Sequence, residues 1–380
     1  MKISGPWMQA APTQAVCAAL TGAGFRALFV GGCVRNALLG LAVADIDIAT
    51  DAVPETVTNL AENAGFKVVP TGIDHGTVTV IAAGIAHEIT TFRRDIETHG
   101  RHATVAFSTD IADDATRRDL TMNALYATPD GEVVDPMGGL ADLMARQVRF
   151  VGDANARITE DYLRILRFFR FHAIYGDPNG GIDAEGLAAC AANSAGIETL
   201  SCERITAEMR KLLSADNPGP AVAAMARSGV LNAVLPGADD RALAPLVHLE
   251  GDTPPHWLRR LAVLGGLAQT AHLRFSRAET TTFGHIRDEI ATLKPASELG
   301  YRLGVALAKD VILARAALFE TPPPNAWQDD AIRGAAAKFP LRAADLMPAL
   351  HGPALGDRLR VLEQAWIDSG FSLTRAQLLA

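Results

Sequence analysis

Residues 27–35 read Ala27-Leu28-Phe29-Val30-Gly31-Gly32-Cys33-Val34-Arg35, and Asp45-Ile46-Asp47-Ile48 follows ten residues after Arg35. The apolar run before the glycines predicts a buried strand. The glycine pair allows a sharp turn without side chains, and the residues after it predict a helix over 34–39. Because backbone N–H groups at the start of a helix can hold phosphate oxygens, this pattern indicates a phosphate-binding turn.

The acidic stretch after the turn indicates metal chemistry. A strand over residues 45–49 places Asp45 and Asp47 on one face. At ~3.4 Å per residue the two carboxylates lie about 7 Å apart, so they can converge on a pair of Mg²⁺ ions. Arg35, one turn into the predicted helix, can make a paired contact with a triphosphate. Together, the turn and the acids predict magnesium-dependent chemistry on a nucleoside triphosphate, with Asp45 and Asp47 as metal ligands.

Each piece alone also fits a simpler interpretation. The glycine pair can be an ordinary turn, and Asp-x-Asp can be the solvent face of an edge strand. A dinucleotide-binding fold fits less well, because no G-x-G-x-x-G follows the strand and two acids on one strand suit metals better than a ribose. We favour the metal site because the two pieces occur together.

Composition sets broad limits on the protein class. The chain has 380 residues, 49% of them hydrophobic and 21% charged, which predicts two or three domains with packed cores. A net charge of −8 argues against non-specific coating of nucleic acid but leaves room for a local basic groove. Four cysteines without a C-x-x-C pair predict a reducing compartment, the cytoplasm. We expect no signal peptide and no membrane association, because no run approaches the ~20 apolar residues of a membrane span.

The distribution of strand and helix signals predicts two kinds of structure. Up to about residue 150, β-like runs alternate with helical ones, and the clearest helix is Pro54–Asn63. From about Gly152 onward the strand signals fade, and amphipathic segments rich in Ala, Leu and Arg take over. The chain therefore reads as a mixed head followed by an all-helical remainder. The predicted strands cover residues 27–30, 45–49, 67–69, 77–82 and 86–92.

A third acid belongs to His87-Glu88-Ile89-Thr90-Thr91-Phe92-Arg93. The period of two in a strand puts Glu88, Thr90 and Phe92 on one face, where Glu88 can stand beside the two aspartates. As a catalytic base it would take a proton from an attacking hydroxyl, and as a ligand it would steady a metal. An ordinary solvated strand residue is an equally good interpretation of Glu88.

A polar cluster follows in Arg117-Arg118-Asp119-Leu120-Thr121-Met122-Asn123-Ala124. Arginine suits phosphates, Asp119 can accept hydrogen bonds from ribose hydroxyls, and Asn123 can brace the loop. Taken alone, such a cluster is more often a helix cap with a surface ion pair. The cluster indicates a nucleotide site only in combination with the motifs around it.

The segment Glu160-Asp161-Tyr162-Leu163-Arg164-Ile165-Leu166-Arg167-Phe168-Phe169-Arg170 predicts a helix with one polar ridge. A carboxylate next to a guanidinium can match both donor and acceptor groups of a nucleobase. An amphipathic helix with an ordinary internal ion pair is the alternative. The ridge consists of positions three residues apart on the predicted helix, namely Asp161, Arg164, Arg167 and Arg170.

In their order along the chain these motifs resemble those of class II tRNA nucleotidyltransferases, the CCA-adding enzymes, and of the related bacterial poly(A) polymerases. The resemblance covers about residues 28–213. Two further stretches take part in it, since one looks like the family's motif between head and neck and the other like its last neck motif. They are Asp135-Pro136-Met137-Gly138-Gly139-Leu140-Ala141-Asp142-Leu143 and Glu203-Arg204-Ile205 with Glu208 and Lys211-Leu212-Leu213.

The resemblance implies roles for individual residues. Asp45 and Asp47 would hold Mg²⁺, and Asp161 with Arg164 would act as an amino-acid template that pairs with cytosine or adenine. We predict a catalytic set of Asp45, Asp47 and Glu88. The predicted nucleotide-binding set, from the triphosphate to the sugar and the base, is Gly32, Arg35, Arg118, Asp119, Asn123, Asp161, Arg164, Arg167 and Arg170.

The fold and the reaction also follow from the resemblance. It implies an α+β head of the DNA polymerase β-like nucleotidyltransferase fold, a mixed sheet with helices, at residues 1–150. An all-α neck at 151–220 and an all-α body and tail at 221–380 would follow, the last of these binding tRNA. The implied reaction is sequential addition of CMP, CMP and AMP, from CTP and ATP, to the 3′ end of tRNA. Rival interpretations are a poly(A) polymerase, a partial CC- or A-adding enzyme and, more distantly, a non-catalytic tRNA-binding protein.

Three details complete these expectations. Asn36 stands where the family usually has Asp, and an amide there can keep hydrogen bonds but not charge. Residues 94–116, with Gly100-Arg101-His102, read as a loop that matches the family's flexible loop and implies a full switch from C to A addition. Scattered arginines in the last region would contact tRNA phosphates or simply be solvated, for example Arg259, Arg260, Arg358 and Arg360.

Overall fold

The computed structural model of the protein describes residues 1–99, 102–266, 273–347 and 349–380. Its internal contacts divide the chain into two compact units, Met1–Pro236 and Gly237–Ala380. Within the described ranges, no strand follows Val133–Val134, so the predicted change from a mixed head to helices is observed. None of the helices in these ranges has both the length and the apolar character that a membrane crossing requires.

A mixed sheet of seven strands organises the first unit, with the order β3-β4-β5-β2-β1-β8-β9. Neighbouring strands in it pair antiparallel, except that β2 pairs parallel with β5. A separate antiparallel hairpin consists of β6 and β7. The strands are β1 (Leu28–Val30), β2 (Ile46–Thr50), β3 (Lys67–Gly72), β4 (Thr77–Ala82), β5 (Ile85–Thr91), β6 (Arg93–His99), β7 (His102–Phe107), β8 (Tyr126–Ala127) and β9 (Val133–Val134).

Twelve α-helices accompany this sheet in the described part of the first unit. The predicted helix over 54–63 is confirmed as α4, in which Pro54 occupies the first turn and Val57 and Ala61 are buried. The helices are α1 (Pro6–Gln9), α2 (Ala11–Thr21), α3 (Gly32–Leu38), α4 (Pro54–Asn63), α5 (Ile111–Thr116), α6 (Gly139–Met144), α7 (Ala154–Glu160), α8 (Leu163–Tyr175), α9 (Ala184–Ala192), α10 (Cys202–Leu213), α11 (Gly219–Arg227) and α12 (Val230–Val234).

The two faces of the sheet differ, and this difference positions the acids. On one face α2 and α4 pack against β4 and β5. His87 is fully buried on that face, where its Nε2 shares a hydrogen bond of 3.0 Å with Oγ1 of Thr13. Because side chains alternate along a strand, the neighbouring Glu88 lies on the opposite face and is exposed. The same alternation puts Asp47 of β2 on the face of Glu88.

The hairpin corrects the prediction that residues 94–116 form a loop. Backbone pairing of β6 with β7 and the helix α5 fill most of that segment, while Gly100 and Arg101 lie outside the described residues. The sequence of β6 is almost entirely polar, so the alternation of apolar and polar residues that marks a strand is missing there. Ladder hydrogen bonds can still form, because they depend on the backbone.

The second unit, within its described residues, is built from helices. A hydrophobic cluster near its end is centred on Trp366, with Leu341, Leu362, Ile367 and Leu378. Arg259 and Arg260 are each only 1% exposed, so the expectation that they are solvated or contact tRNA phosphates is wrong. Both instead pair with Glu250 at 2.6 Å. The helices are α13 (Leu243–Glu250), α14 (Trp257–Leu264), α15 (Arg277–Ile290), α16 (Ala296–Leu318), α17 (Trp327–Ala336), α18 (Gly352–Asp368) and α19 (Arg375–Leu379).

Candidate active site

The glycine turn is tight and packs against the polar cluster at residues 117–124. Gly31 has φ 69° and ψ −117°, a backbone conformation that residues other than glycine rarely adopt. The helix α3 begins directly after it at Gly32, two residues before the predicted start. A Cβ added at Gly31 would lie 3.4 Å from Nη1 of Arg118. The structure thus brings the predicted phosphate turn next to one of the predicted phosphate-binding arginines.

The predicted acids lie at the parallel pairing of β2 with β5. Asp47 is directly opposite Glu88 in the register, and Asp45 precedes β2 by one residue. Burial raises the pKa of Asp47 to about 6, and the charges of Glu88 and Asp45 add to this effect while Arg118 opposes it. The folded protein therefore disfavours the ionised form of Asp47.

These acids carry negative charge that the protein itself does not neutralise directly. Within the residues that the structure describes, the side chains of Asp45, Asp47 and Glu88 make no hydrogen bond and no ion pair. An incoming cation would relieve their mutual repulsion, so the donor set fits a divalent metal by its charge. In the same described ranges, no group of three or more His, Cys, Asp or Glu side chains is already arranged around a metal position.

Arg118 is held by two buried residues that the sequence interpretation missed. Its Nη2 donates to Oδ2 of Asp114 at 2.9 Å, and its Nε donates to the hydroxyl of Tyr126 at 3.1 Å. Tyr126 also donates to Asp114 at 2.7 Å. Burial opposes ionisation of Asp114. The charges of Arg118 and Arg117, together with hydrogen bonds from Tyr126 and Arg118, nevertheless hold the pKa of Asp114 below its usual value. The spacing of four residues between Asp114 and Arg118 was the available signal.

A hydrogen bond joins Asp119 and Asn123, which agrees with the prediction that Asn123 braces the loop. Oδ1 of Asp119 accepts from Nδ2 of Asn123 at 3.0 Å, and Oδ2 accepts from Nε of Arg167 at 2.5 Å. Burial opposes ionisation of Asp119, but Arg167 and these hydrogen bonds hold its pKa at about 2. Asp119 is therefore ionised at neutral pH, and it connects the polar cluster to α8.

Arg35, the residue predicted to contact a triphosphate, is held by several protein partners. It is 7% exposed, and its Nη1 donates to Oδ1 of Asn123 at 2.5 Å. Its Nη2 donates to the hydroxyl of Tyr175 at 2.8 Å and to Oδ1 of Asn36 at 3.0 Å, and its Nε donates to the same Asn36 oxygen. Four of the five guanidinium N–H groups thus have protein partners. Tyr175 lies 140 residues away along the chain, and no local pattern indicated it.

The predicted polar ridge is divided between two helices. Asp161 has an extended backbone, φ −155° and ψ 105°, so α7 ends before it and α8 begins at Leu163. Oδ1 of Asp161 accepts from the backbone N–H of Leu163 at 3.1 Å, a local bond that competes with a continuous helix. The prediction of a single helix through residues 160–170 is therefore wrong, although Arg164 and Arg167 do share α8.

The ridge residues are paired, but with partners other than each other. Asp161 accepts from Nη2 of Arg204 at 2.6 Å, and Arg164 donates to Glu160 at 2.6 Å. Arg170 is buried, and its Nε donates to Glu208 at 2.5 Å. Arg170 therefore connects α8 to α10.

A cleft of about 990 Å³ lies away from these residues. It is bordered by α6, α7 and α9, and it contains none of the predicted catalytic or nucleotide-binding side chains. Charged groups in it are mostly acidic, among them Asp142, Asp153 and Asp183. Such a lining disfavours a triphosphate, so the cleft is not the candidate active site.

Two family models and one solved structure are similar to large parts of this chain. A family model described as the poly A polymerase head domain matches residues 27–149, and one described as a probable RNA and SrmB-binding site of polymerase A matches residues 181–241. The solved structure of the Bacillus stearothermophilus CCA-adding enzyme in complex with CTP is similar with a TM-score of 0.75 and 28% identity. That similarity covers 95% of this chain and 94% of the other.

Two curated relatives extend over nearly the whole chain. The mitochondrial CCA tRNA nucleotidyltransferase 1 of Danio rerio is 32% identical over 94% of this chain and 86% of its own length. The CCA-adding enzyme of Geobacillus thermodenitrificans is 33% identical over 90% of this chain and 86% of its own length. On this coverage and identity, the chain belongs to the family of CCA-adding enzymes, the CCA tRNA nucleotidyltransferases.

Proposed function

We propose that this protein adds CMP, CMP and AMP in turn to the 3′ end of tRNA, using CTP and ATP and releasing pyrophosphate. Membership of the family supports this reaction, because the relatives from Danio rerio and Geobacillus thermodenitrificans are named a CCA tRNA nucleotidyltransferase and a CCA-adding enzyme. The observation in this chain that carries the chemistry is the parallel pairing that sets Asp47 beside Glu88. Asp45, Asp47 and Glu88 form the proposed catalytic set.

A divalent metal is general in this family, and we propose that Mg²⁺ is the ion used here. Asp45 and Asp47 would hold it, because their charge is not balanced by any described protein cation in direct contact. When bound, the ion supplies positive charge that favours an ionised 3′-hydroxyl and stabilises the leaving pyrophosphate. Glu88 can serve there either as a base or as a further ligand.

The phosphates and the sugar of the nucleotide are assigned to the surroundings of the glycine turn. Gly32 starts α3, and Arg118 lies within contact distance of Gly31. Arg118 is the arginine best placed for the triphosphate, because Asp114 and Tyr126 fix its orientation. Asp119 and Asn123 are proposed for the ribose, with Arg167 steadying the Asp119 carboxylate.

Base selection is assigned to Asp161 and Arg164. Both side chains already have ionic partners, Arg204 and Glu160, so a nucleobase must compete with these pairs. A mismatched base would leave one of the groups without a partner, at a cost of ~1–3 kcal/mol for each buried group. This competition would make the site selective, because only a base that replaces the hydrogen bonds lost from Arg204 and Glu160 would bind.

The remaining assignments concern regions and compartment. We propose a catalytic head at residues 1–150, a neck at 151–220 and a tRNA-binding body and tail at 221–380. The match of an RNA-binding family model to residues 181–241 supports RNA contact from the neck onward. We propose the cytoplasm as the location, because four cysteines without a C-x-x-C pair suit a reducing compartment. The Danio rerio relative is named as mitochondrial, and fractionation of cells that express this protein would separate the two locations.

The test of the function is extension of a tRNA that lacks its 3′ CCA. Purified protein is incubated with CTP and ATP, and the products are resolved at single-nucleotide length. Addition of two C residues and one A supports the proposal. Long runs of A would identify a poly(A) polymerase, the alternative that the head-domain match favours, and stopping after CC would identify a partial enzyme.

Base selection has its own test in Arg164→Ala. If Arg164 reads the base, the variant should incorporate UMP and GMP about ten to a hundred times more readily relative to CMP. Arg149→Ala is the matched control, because Arg149 is half exposed and pairs with Asp142 and Asp183, which belong to none of the proposed sites. Unchanged discrimination in Arg164→Ala would remove Arg164 from the proposed template.

A further inference from the structure

The guanidinium of Arg35 joins three separate parts of the first unit. Arg35 belongs to α3, directly after the glycine turn. Its hydrogen bonds reach Asn123 in the polar cluster and Tyr175 at the end of α8. Because α8 also carries Arg164, one side chain connects the proposed phosphate end of the nucleotide site to the helix at its base end.

The contacts around Arg35 fix both its position and its orientation. Two aromatic rings of α8 flank the guanidinium, with centroids at 4.2 Å for Tyr175 and 5.0 Å for Phe171. Asn36 accepts from Arg35 through Oδ1 and from the hydroxyl of Tyr175 at 3.4 Å. Its Nδ2 donates to the backbone oxygen of Ala42 at 2.8 Å. Asn36 is therefore itself anchored, and it closes a three-membered network with Arg35 and Tyr175.

All direct partners of this buried cation are neutral. Among the residues that the structure describes, no carboxylate lies within ion-pair distance of Arg35, and its direct partners are amides, a phenol and aromatic rings. Burial lowers the pKa of Arg35 and the nearby Arg170 acts in the same direction, while Tyr175 and the carboxylate of Asp119, which is beyond ion-pair distance, oppose the shift. A buried charge with neutral partners depends on each hydrogen bond it makes. Loss of one partner should therefore loosen the whole connection.

We propose that Asn36 and Tyr175 are positioning residues, which hold Arg35 as a rigid joint between the glycine turn and α8. The joint sets the spacing between the phosphates of the nucleotide and the residues that select its base. This inference rests on the proposed function, since that function assigns the two ends of the site. The joint uses four of the five guanidinium N–H groups of Arg35 and leaves one N–H on Nη1 for the predicted contact with a triphosphate.

Substitutions at Tyr175 and Asn36 separate the hydrogen bonds from the ring contacts. Tyr175→Phe keeps the ring beside Arg35 and removes the hydroxyl, while Tyr175→Leu removes both. Asn36→Ala removes the amide, and Asn36→Asp keeps an acceptor and adds a charge that pairs with the guanidinium. Tyr301→Phe is the matched control, because the Tyr301 hydroxyl is equally bonded, to Glu363 at 2.6 Å, within Gly237–Ala380.

Two measurements are made on each full-length variant. The first is amide hydrogen exchange in α3, which reports on the joint whether or not the protein is active. The second is the kcat, the KM for CTP and ATP, and the frequency of UMP incorporation on tRNA lacking CCA. A positioning role lowers kcat and raises misincorporation while KM stays within about twofold.

The expected effects are graded. Tyr175→Leu and Asn36→Ala should speed exchange in α3 about tenfold, lower kcat about tenfold and raise UMP incorporation about tenfold. Tyr175→Phe should show about a threefold change in each. Asn36→Asp and Tyr301→Phe should stay within about twofold of the unmodified protein in all of them.

The outcomes distinguish this inference from the proposed function. Unchanged exchange in α3 for both Tyr175 variants would overturn the joint, even if the unmodified protein adds CCA normally. A rise in KM with kcat and misincorporation unchanged would also overturn it, because Asn36 and Tyr175 would then affect nucleotide binding alone. If the unmodified protein does not extend tRNA, the proposed function fails, while faster exchange in the isosteric Tyr175→Phe would still support the joint.

Discussion

Two groups of charged residues, one in each compact unit, differ in how their charge is compensated. In Gly237–Ala380, Arg259 and Arg260 pair with Glu250, and Arg259 also pairs with Asp310 at 2.7 Å. In Met1–Pro236, Asp47 has a like-charged neighbour, Glu88, and Arg35 is buried among neutral groups. Two cations facing two carboxylates in the second unit form a self-sufficient cluster.

The difference has a physical reason. Removing a charge from water is costly, and a buried cluster persists when its members compensate one another. Asp45, Asp47 and Glu88 have no such compensating partner among the described residues. The raised pKa of Asp47, about 6, reflects this lack of compensation. We interpret the balanced cluster of Arg259, Arg260, Glu250 and Asp310 as part of the fold, and the uncompensated carboxylates of Asp45, Asp47 and Glu88 as the proposed place for a metal.

The comparison is tested most strongly at Asp47. Asp47→Asn should reduce nucleotide incorporation by at least about a thousandfold, because the proposed metal loses a ligand while the shape of the side chain is kept. Binding of tRNA should remain near that of the unmodified protein, as measured by filter binding. Single-turnover extension gives the rate, and turnover within tenfold of the unmodified protein would contradict the metal role.

The second prediction concerns the balanced cluster. Arg259→Met leaves carboxylates of Glu250 and Asp310 buried with one cation fewer, and it should lower the free energy of unfolding by about 3–5 kcal/mol. Urea denaturation that follows tryptophan fluorescence measures this, since Trp257 lies in the same helix. Activity per folded molecule should not change at a temperature where the variant is folded. A loss below 1 kcal/mol would show that the cluster does not stabilise the fold.

The third prediction uses the raised pKa of Asp47 in metal-free protein. Its folded pKa of about 6 lies above the ordinary value of 3.8, so the folded state loses stability relative to the unfolded state as the pH rises from about 4 to 6. In a chelating buffer at pH 7, Asp47→Asn should therefore be more stable than the unmodified protein by about 1–2 kcal/mol.

At pH 4 the stabilities of Asp47→Asn and the unmodified protein should converge, because Asp47 is then largely protonated in the folded protein. Thermal unfolding at both pH values checks this. A variant that is less stable at pH 7 would mean that some partner compensates the Asp47 carboxylate. The comparison between the two units would then lose its basis.

The smallest effect is expected for an exposed pair. Arg287 and Asp288 are both more than half exposed, and Arg287→Ala should change the free energy of unfolding by less than about 0.5 kcal/mol. Denaturation under the conditions used for Arg259→Met provides the direct contrast. A change as large as that of Arg259→Met would mean that burial does not separate the two classes of ion pair.

Local patterns in the sequence predicted the elements that depend on neighbours along the chain. The strand over 77–82 and the helix over 54–63 are observed with the predicted bounds, since apolar periodicity and a starting proline are local signals. Strand alternation allowed Glu88 to stand beside the aspartates or to be an ordinary solvated residue, and the parallel register sets it opposite Asp47. Family resemblance then supplied the identity that these patterns could not.

Contacts between distant residues were not accessible in the same way. The connection of Arg35 to Tyr175 spans 140 positions, and the break at Asp161 depends on a side chain that bonds its own backbone. Burial of Arg259 and Arg260 required knowledge of Glu250 and its helix. Charged residues on amphipathic helices read as solvated unless their partners are known, which explains the wrong expectation for these two arginines.

The parallel pairing of β2 with β5 also has a consequence for how the protein folds. Asp47 and Glu88 are separated by roughly 40 residues, which include α4, β3 and β4, so their approach closes a long chain segment. The two carboxylates repel each other and cannot drive that closure. Pairing of the surrounding sheet must therefore provide the free energy for this closure, which is a non-local step of folding. A nascent chain that has not yet been synthesised past β5 would lack a complete set of acids for the proposed metal.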